Sequence, residues 1–403
     1  MKTILSSALL IAAISFFSAC GQDFIKENVA NAEAQITELI VAAEEGDTLR
    51  IPSTFKDGKV RFVPTRDWVS GFFAGTLWYM YELTGDEKYA EHARKHTEVL
   101  HDIQYLTTHH DIGFMINNSY GHGLRMKGIK GYDTVVVNAA RSLLTRFRPE
   151  AGVIQSWNIS GRNWQSKRGW KCPVIIDNLM NLELLFEAAE ITGEDIFREV
   201  ALSHAEKTLE NHYREDFSTY HVVDYDPETG EVRSRCTAQG IADESSWARG
   251  QAWSLYGLTL LSRYTKDEKY IQMAKNVADY LYVKEENMPE DLVPLWDYDA
   301  VQYAQNAPFF QPYVAQRDVS SAAICASALY ELYSITQEKF YMQKADKIME
   351  SLSAAPYRAE VGTNGGFILK HSVGSIPHGG NIDVPLNYAD YYFLEALSRR
   401  SKL

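Results

Sequence analysis

Cysteine is scarce in this chain, four in 403 residues. Cys20 closes an apolar leader, and the remaining Cys172, Cys236 and Cys325 show no C-x-x-C spacing. An odd count without that spacing excludes a disulfide framework and a structural zinc site, and leaves the three as core or pocket-wall thiols. Basic residues are also short: 40 Lys and Arg against 53 Asp and Glu leave a formal charge of −13. That balance argues against a nucleic-acid backbone as the main partner. Glycine-rich phosphate loops are absent, since Gly379-Gly380 alone marks a turn. His92 and His96 stand four apart, but the Ala-Arg-Lys between them lacks the Glu of a zincin motif. His109-His110-Asp111 finds no further cluster to complete a metal site, so neither metal nor cofactor is expected.

What is present is ordinary in bulk and unusual in detail. Apolar residues are 45% and charged residues 23%, enough for a large core and incompatible with disorder, collagen or coiled coil. Aromatics are abundant, with 24 Tyr, 17 Phe and 8 Trp. Many carry a polar handle suited to flat polar ligands, which points to carbohydrate.

Residues 1–20 read as Lys2, an apolar run from Ile4 to Phe17, and the small residues Ser18 and Ala19 before Cys20. This is the order of a signal peptide, and the run is too short to span a bilayer. Cys20 directly after Ser-Ala resembles a bacterial lipoprotein box. The expected organisation is a signal peptide over 1–20 with lipoprotein-type cleavage before Cys20, then a single domain over 21–403. The chain would be exported, either periplasmic or held at a membrane through a lipidated N-terminus, with plain secretion as the alternative.

A phrase recurs through the chain: Thr84-Gly-Asp-Glu-Lys-Tyr89, Thr192-Gly-Glu-Asp-Ile-Phe197, Thr265-Lys-Asp-Glu-Lys-Tyr270 and Thr336-Gln-Glu-Lys-Phe-Tyr341. Each closes one apolar helix and opens another, with Thr as the expected N-cap and acids in the first turn. The helix before each turn is apolar all round and the one after is amphipathic, as inner and outer rings require. Inner helices are predicted to start near Asp67, Asp111, Asp177, Asp243, Asp318 and Asp383, and outer helices to cover 29–45, 87–103, 131–146, 194–211, 267–283 and 338–353. Twelve alternating helices predict an all-α (α/α)6 toroid, a six-hairpin glycosidase-like barrel, with at most a short β-hairpin within 213–236.

An Asp at each inner-helix head has a structural explanation, because Asp caps helix N-termini. The same geometry gathers all six heads at one mouth, where two could act as an acid/base pair. Neighbouring residues favour His109-His110-Asp111 and Asp177, the latter following the apolar run Val174-Ile-Ile176 that would desolvate it. A third cluster, Thr237 to Trp253, interleaves polar groups with Trp247 and Trp253. Arg249 and Trp253 share a helix face, suited to a sugar carboxylate through a bidentate guanidinium and a stacked indole; a salt bridge beside a core aromatic is the alternative.

At these blocks the chain resembles the unsaturated glucuronyl hydrolases of glycoside hydrolase family 88. The resemblance covers roughly residues 60 to 400, through Asp67-Trp-Val-Ser-Gly-Phe-Phe-Ala-Gly, His110-Asp-Ile-Gly-Phe, Pro173-Val-Ile-Ile-Asp-Asn-Leu-Met-Asn-Leu, the segment Ala238 to Trp253, and Asp383-Val-Pro-Leu-Asn-Tyr-Ala-Asp-Tyr-Tyr. It implies the (α/α)6 barrel and a hydrolase that releases a 4,5-unsaturated uronate from the non-reducing end of lyase-generated oligosaccharides, such as glycosaminoglycan fragments, by hydrating the C4=C5 bond. It further implies Asp177 as general acid and base and Asp111 as the second carboxylate. Trp68, His110, His221, Gln239, Arg249 and Trp253 match positions lining the uronate subsite. Thr237 lies in a segment that approaches the substrate, and Ser375 would face the next sugar. Ala238 stands where family members usually carry His. One Trp before Pro173 also belongs to the site, with Trp157, Trp164 and Trp170 as alternatives.

Other readings predict different behaviour. An unsaturated rhamnogalacturonyl hydrolase shares the chemistry but takes pectin fragments. A non-catalytic glycan-binding surface lipoprotein would expect one of the two Asp to be replaced. A sugar epimerase would use paired histidines, which His110 and His221 could mimic, and would leave the glycosidic bond intact.

Overall fold

The structure is a computed structural model that describes residues 2–161 and 163–403, with side chains from residue 22 onward apart from residue 162. The predicted leader and its Cys20 lie outside the residues described in full. Among the described residues no helix is long and apolar enough to cross a membrane.

Among the described residues, twelve helices alternate between an outer and an inner ring and form the (α/α)6 toroid. The first three hairpins comprise α1 (Lys2–Glu44), α2 (Ser70–Thr84), α3 (Glu87–Glu98), α4 (Ile112–Ile116), α5 (Tyr132–Leu144) and α6 (Leu182–Thr192). The other three comprise α7 (Asp195–Asn211), α8 (Ala248–Thr265), α9 (Glu268–Asp279), α10 (Val319–Thr336), α11 (Lys339–Leu352) and α12 (Asn387–Ser401). The even-numbered helices are the inner ones. α8 is buried from Ala248 to Ser262 and α10 from Val319 to Leu332, whereas α9 and α11 bury one face only. Inner helices approach closely where the sequence is small: a Cβ on Gly71 of α2 would lie 2.4 Å from the Met115 carbonyl oxygen of α4.

The recurring phrase makes its turn differently from expectation. Its Thr ends the first helix instead of capping the second. Thr84 Oγ1 donates to Met80 O at 2.6 Å and accepts from Asp86 N at 3.1 Å, and Thr192, Thr265 and Thr336 repeat both bonds. The N-cap is the acid two residues later, as where Asp86 accepts from Lys88 N and Asp267 from Lys269 N. Between them lies a left-handed residue, Gly85, Gly193, Lys266 or Gln337, with φ from 56° to 72°. A hydroxyl two residues before the cap thus ties one helix end to the next helix start.

Two inner helices are irregular. α4 continues through a π-turn at Asn117–Gly121 into His122–Lys127, and a 3-10 turn at Ile176–Asn181 precedes α6. Four small antiparallel sheets decorate the barrel. The predicted hairpin in 213–236 is present as Val222–Tyr225 and Val232–Cys236, and Cys172–Ile175 joins it as an outer strand that the sequence did not announce. Its register pairs Ile175 with Val222, and Ile176 N donates to His221 O at 3.0 Å. That pairing brings the segment leading to Asp177 beside His221. Cys172, Cys236 and Cys325 are buried free thiols.

At the end opposite the Asp heads all six inner helices contribute to a charged belt. Arg125, in the continuation of α4, contacts Glu187 of α6, and Arg263 of α8 reaches Glu183 at 2.5 Å and Glu331 of α10 at 3.2 Å. Arg399 of α12 meets Glu331 at 3.0 Å, Tyr79 of α2 donates to Glu395 of α12 at 2.6 Å, and Lys402 reaches Glu82 of α2 at 2.7 Å.

Candidate active site

A cavity of about 320 Å³ opens at the mouth where the inner helices begin. Its walls include Asp67 and Trp68 from the loop before α2, Asp111 at the head of α4, and Asp177 in the 3-10 turn. Gln239, Arg249, Ser375 and Tyr388 also line it, with the Arg249 guanidinium 5.5 Å from the Tyr388 ring centre. Trp157 is the one of the three candidate tryptophans that lines it. Trp170 stacks behind Trp157 with ring centres 5.9 Å apart, and Trp164 packs edge-on against both.

The six predicted Asp heads divide by their partners. Asp67 accepts from Val69 N at 3.1 Å, Asp243 from Thr237 N at 2.9 Å, and Asp383 meets His371 Nδ1 at 2.6 Å. Asp318 caps α10 through Ser320 N and binds Arg249 at 2.9 Å. Asp111 makes no capping bond although it occupies the N-cap of α4, and Asp177 Oδ2 is buried without any hydrogen-bond partner. An orphaned carboxylate oxygen in a fold that satisfies four of its six heads calls for a proton or a ligand.

Electrostatics separate these two carboxyls. Burial pushes Asp177 up from 3.8 to about 7, against the opposing charge of Arg249 and with the repulsion of Asp111. Burial also works to raise Asp111, but His110 and His109 outweigh it and hold the carboxyl below its ordinary value. His109 Nδ1 lies 3.1 Å from Asp111 Oδ2 and His110 Nε2 lies 3.3 Å from Oδ1. One carboxyl therefore keeps its proton near neutrality while its neighbour stays ionised, as a general acid beside a stabilising carboxylate requires.

Several expected contacts stand one layer behind the cavity wall. His110 is fully buried behind Asp111. His221 accepts Ala238 N and Gln239 N at Nδ1, at 3.1 and 3.2 Å, so its proton sits on Nε2, which is 3.8 Å from Asp177 Oδ2. Trp253 is fully buried, and its N–H favours the ionised form of Asp177. Thr237 turns away: its hydroxyl accepts from Gly240 N at 2.8 Å, and its amide goes to Asp243. These four support the wall and do not form it.

Arg249 departs from the expected bidentate grip on a sugar carboxylate. Its fork is committed to Asp318 and to the carbonyls of Val373 and Gly374, with the guanidinium over the Trp247 ring at 4.7 Å. It still borders the cavity, and what it offers there is charge. Ser375 also lines the cavity, its hydroxyl 2.7 Å from His378 Nδ1. Among the described residues no three His, Cys, Asp or Glu side chains gather to hold a metal ion. Sequence reasoning missed Asp67 as a wall residue, since it read as one head among six, and Asn387 and Tyr388, which had no marker beyond the final motif.

Comparison with known proteins agrees with this geometry. Residues 48–264 match the model of Glycosyl Hydrolase Family 88. An unsaturated glucuronyl hydrolase of Formosa agariphila is 41% identical over 345 residues, 85% of this chain and 82% of that protein. One from Bacillus sp. (strain GL1) is 34% identical over 354 residues, 85% of this chain and 89% of that protein. The crystal structure of an unsaturated glucuronyl hydrolase specific for heparin matches with a TM-score of 0.86 at 42% identity, covering 94% of this chain and 97% of that one. The paired carboxyls thus sit in a fold and a sequence context shared along almost the whole barrel, and the chain belongs to glycosyl hydrolase family 88.

Proposed function

We propose that the cavity takes the 4,5-unsaturated uronate at the non-reducing end of an oligosaccharide left by a polysaccharide lyase, and that Asp177 and Asp111 hydrate its double bond. The observation that carries this is the Asp177 carboxyl, which burial keeps protonated up to about pH 7, in the wall of a cavity shared with ionised Asp111. Protonated Asp177 delivers its proton to C4, and positive charge develops at C5. Water adds to C5 and loses its proton to the Asp177 carboxylate or to Asp111. The resulting hemiketal opens and expels the remaining sugar, so the carboxyl separation that distinguishes retaining from inverting glycosidases does not govern this reaction. Trp157 and Trp68 supply aromatic walls for the ring, and Arg249 supplies positive charge for the uronate carboxylate.

Glycosaminoglycan fragments are the favoured substrate class, and heparin-derived disaccharides come first because the solved relative at 42% identity is specific for heparin. The test is the loss of absorbance of the conjugated double bond on a panel of lyase-generated disaccharides, sulfated and unsulfated. Decay with wild type and none with Asp177→Asn is the expected result; equal decay with both removes Asp177 from the reaction. The leader ending at Cys20 supports an exported, lipid-anchored protein. Incorporation of a labelled fatty acid that Cys20→Ala abolishes is the corresponding check.

A further inference from the structure

His109 has so far appeared only as one of two rings beside Asp111, yet its position is narrowly defined. The backbone at His109 forms an antiparallel bridge with the cavity residue Trp157, and His110 N donates to Ser156 O at 3.1 Å. The segment is therefore held by the same strand that carries the aromatic wall. From it, the two imidazoles approach the two oxygens of Asp111, His109 at Oδ2 and His110 at Oδ1.

The two rings differ in access to water. The His110 side chain has no exposed surface, and burial holds it below its ordinary value. It favours the neutral ring. The His109 side chain retains about a fifth of its surface. Burial works against its charge, but the Asp111 contact and the Arg66 backbone carbonyl outweigh it and raise the ring. A carboxylate oxygen 3.1 Å from Nδ1 and the nearby backbone carbonyl both favour the imidazolium over the neutral ring. The other groups acting on this pair are Asp67, whose carboxyl feels both His109 and Asp111, and the more distant Arg146 cation.

We infer that His109 is a positioning residue of the hydration, an imidazolium that grips Asp111 Oδ2 and keeps that carboxylate charged beside Asp177, Asp67 and the substrate's own carboxylate. The inference rests on the roles given above to Asp111 and Asp177. Three protein carboxyls and a uronate crowd one mouth, and like charges at such range push protons onto one another. Arg249 is tied to Asp318 on the far side. His109 is the cation in direct contact with Asp111, and without it Asp111 takes a proton as the pH falls and ceases to complement the acid.

The test compares wild type with His109→Gln, following kcat and KM on an unsaturated disaccharide from pH 4.5 to 8.5. The expected result is an acid limb of kcat displaced upward by about one pH unit, a tenfold loss at the acid end. KM should change by less than about threefold, because His109 does not line the cavity. A profile that superimposes on wild type, or falls evenly at every pH, assigns His109 a merely structural part and overturns the inference. A wild type without turnover overturns the reading of the two aspartates, and this one with it. A second readout needs no variant to fold as an enzyme: the ring nitrogens of His109 in the wild-type protein, followed by nitrogen NMR, should report an imidazolium above pH 6.5. A neutral ring there overturns the inference.

Discussion

Replacing the proposed acid should make the protein more stable, and by an amount that depends on pH. Asp177 titrates near 3.8 in the unfolded chain and at about 7 in the folded one, chiefly because burial penalises its charged form. A carboxyl raised in this way binds a proton in the folded state that the unfolded state has already released. Stability is therefore intact below pH 3.8 and is lost progressively as pH rises to about 7, after which the loss is complete. At about 1.36 kcal/mol per pH unit across that window, the charged carboxylate costs roughly 4 kcal/mol above pH 7. Asp177→Asn keeps the shape and removes the charge. Urea titrations followed by tryptophan fluorescence should find this variant about 4 kcal/mol more stable than wild type at pH 8. The gap should shrink towards zero at pH 4. Asp297 and Asp390, also raised by burial to about 6 and about 7, titrate alike in both proteins and cancel from the difference. A gap that is constant with pH, or a wild type more stable at pH 8, would refute the argument that Asp177 is held protonated by burial.

Other consequences are open to simpler checks. Since Asp177 must carry a proton, kcat should fall about tenfold per unit above pH 7; activity that climbs through pH 8 contradicts the assignment. Trp157→Ala should raise KM about tenfold and Trp164→Ala much less, because only the former lines the cavity. Asp318→Ala should cost about 3 to 5 kcal/mol in a denaturant titration, since it strands the buried Arg249 guanidinium. Lys266→Gly should stabilise by up to about 1 kcal/mol, because Lys266 is held at φ 56°. A loss of stability there would place the turn's energetics elsewhere.

The outer ring was legible because amphipathic helices announce their length: 194–211 was expected and Asp195–Asn211 is present. The hairpin turns were legible in position but not in chemistry. A Thr before Gly-Asp looks like a cap, and only the carbonyl four residues earlier, which it also bonds, reveals that it belongs to the preceding helix. The inner ring was harder at its active end, where the 3-10 turn around Asp177 follows a β-strand and carries no helical period. Among site residues, Asp111 and Asp177 stood out through their neighbours. Arg249 was visible as a residue, but its buried partners were not, because Asp318 and Val373 lie 69 and 124 positions away. Such pairings are decided by ring closure, which no local pattern records.

The charged belt at the far end has a bearing on how such a chain reaches its folded state. Its last members, Glu395, Arg399 and Lys402, lie within the final nine residues of the sequence, and they answer charges on α2 and α10 and tyrosine hydroxyls on α2 and α8. Until that segment arrives, Glu331 and Glu82 lack part of their compensation and the seam between α2 and α10 stands open. The first and last inner helices must meet across more than three hundred residues, a contact whose closure entropy is met late. Loss of the last few residues should therefore act less like trimming an end than like removing a keystone, leaving a horseshoe with buried charges exposed along both edges and inclined to associate.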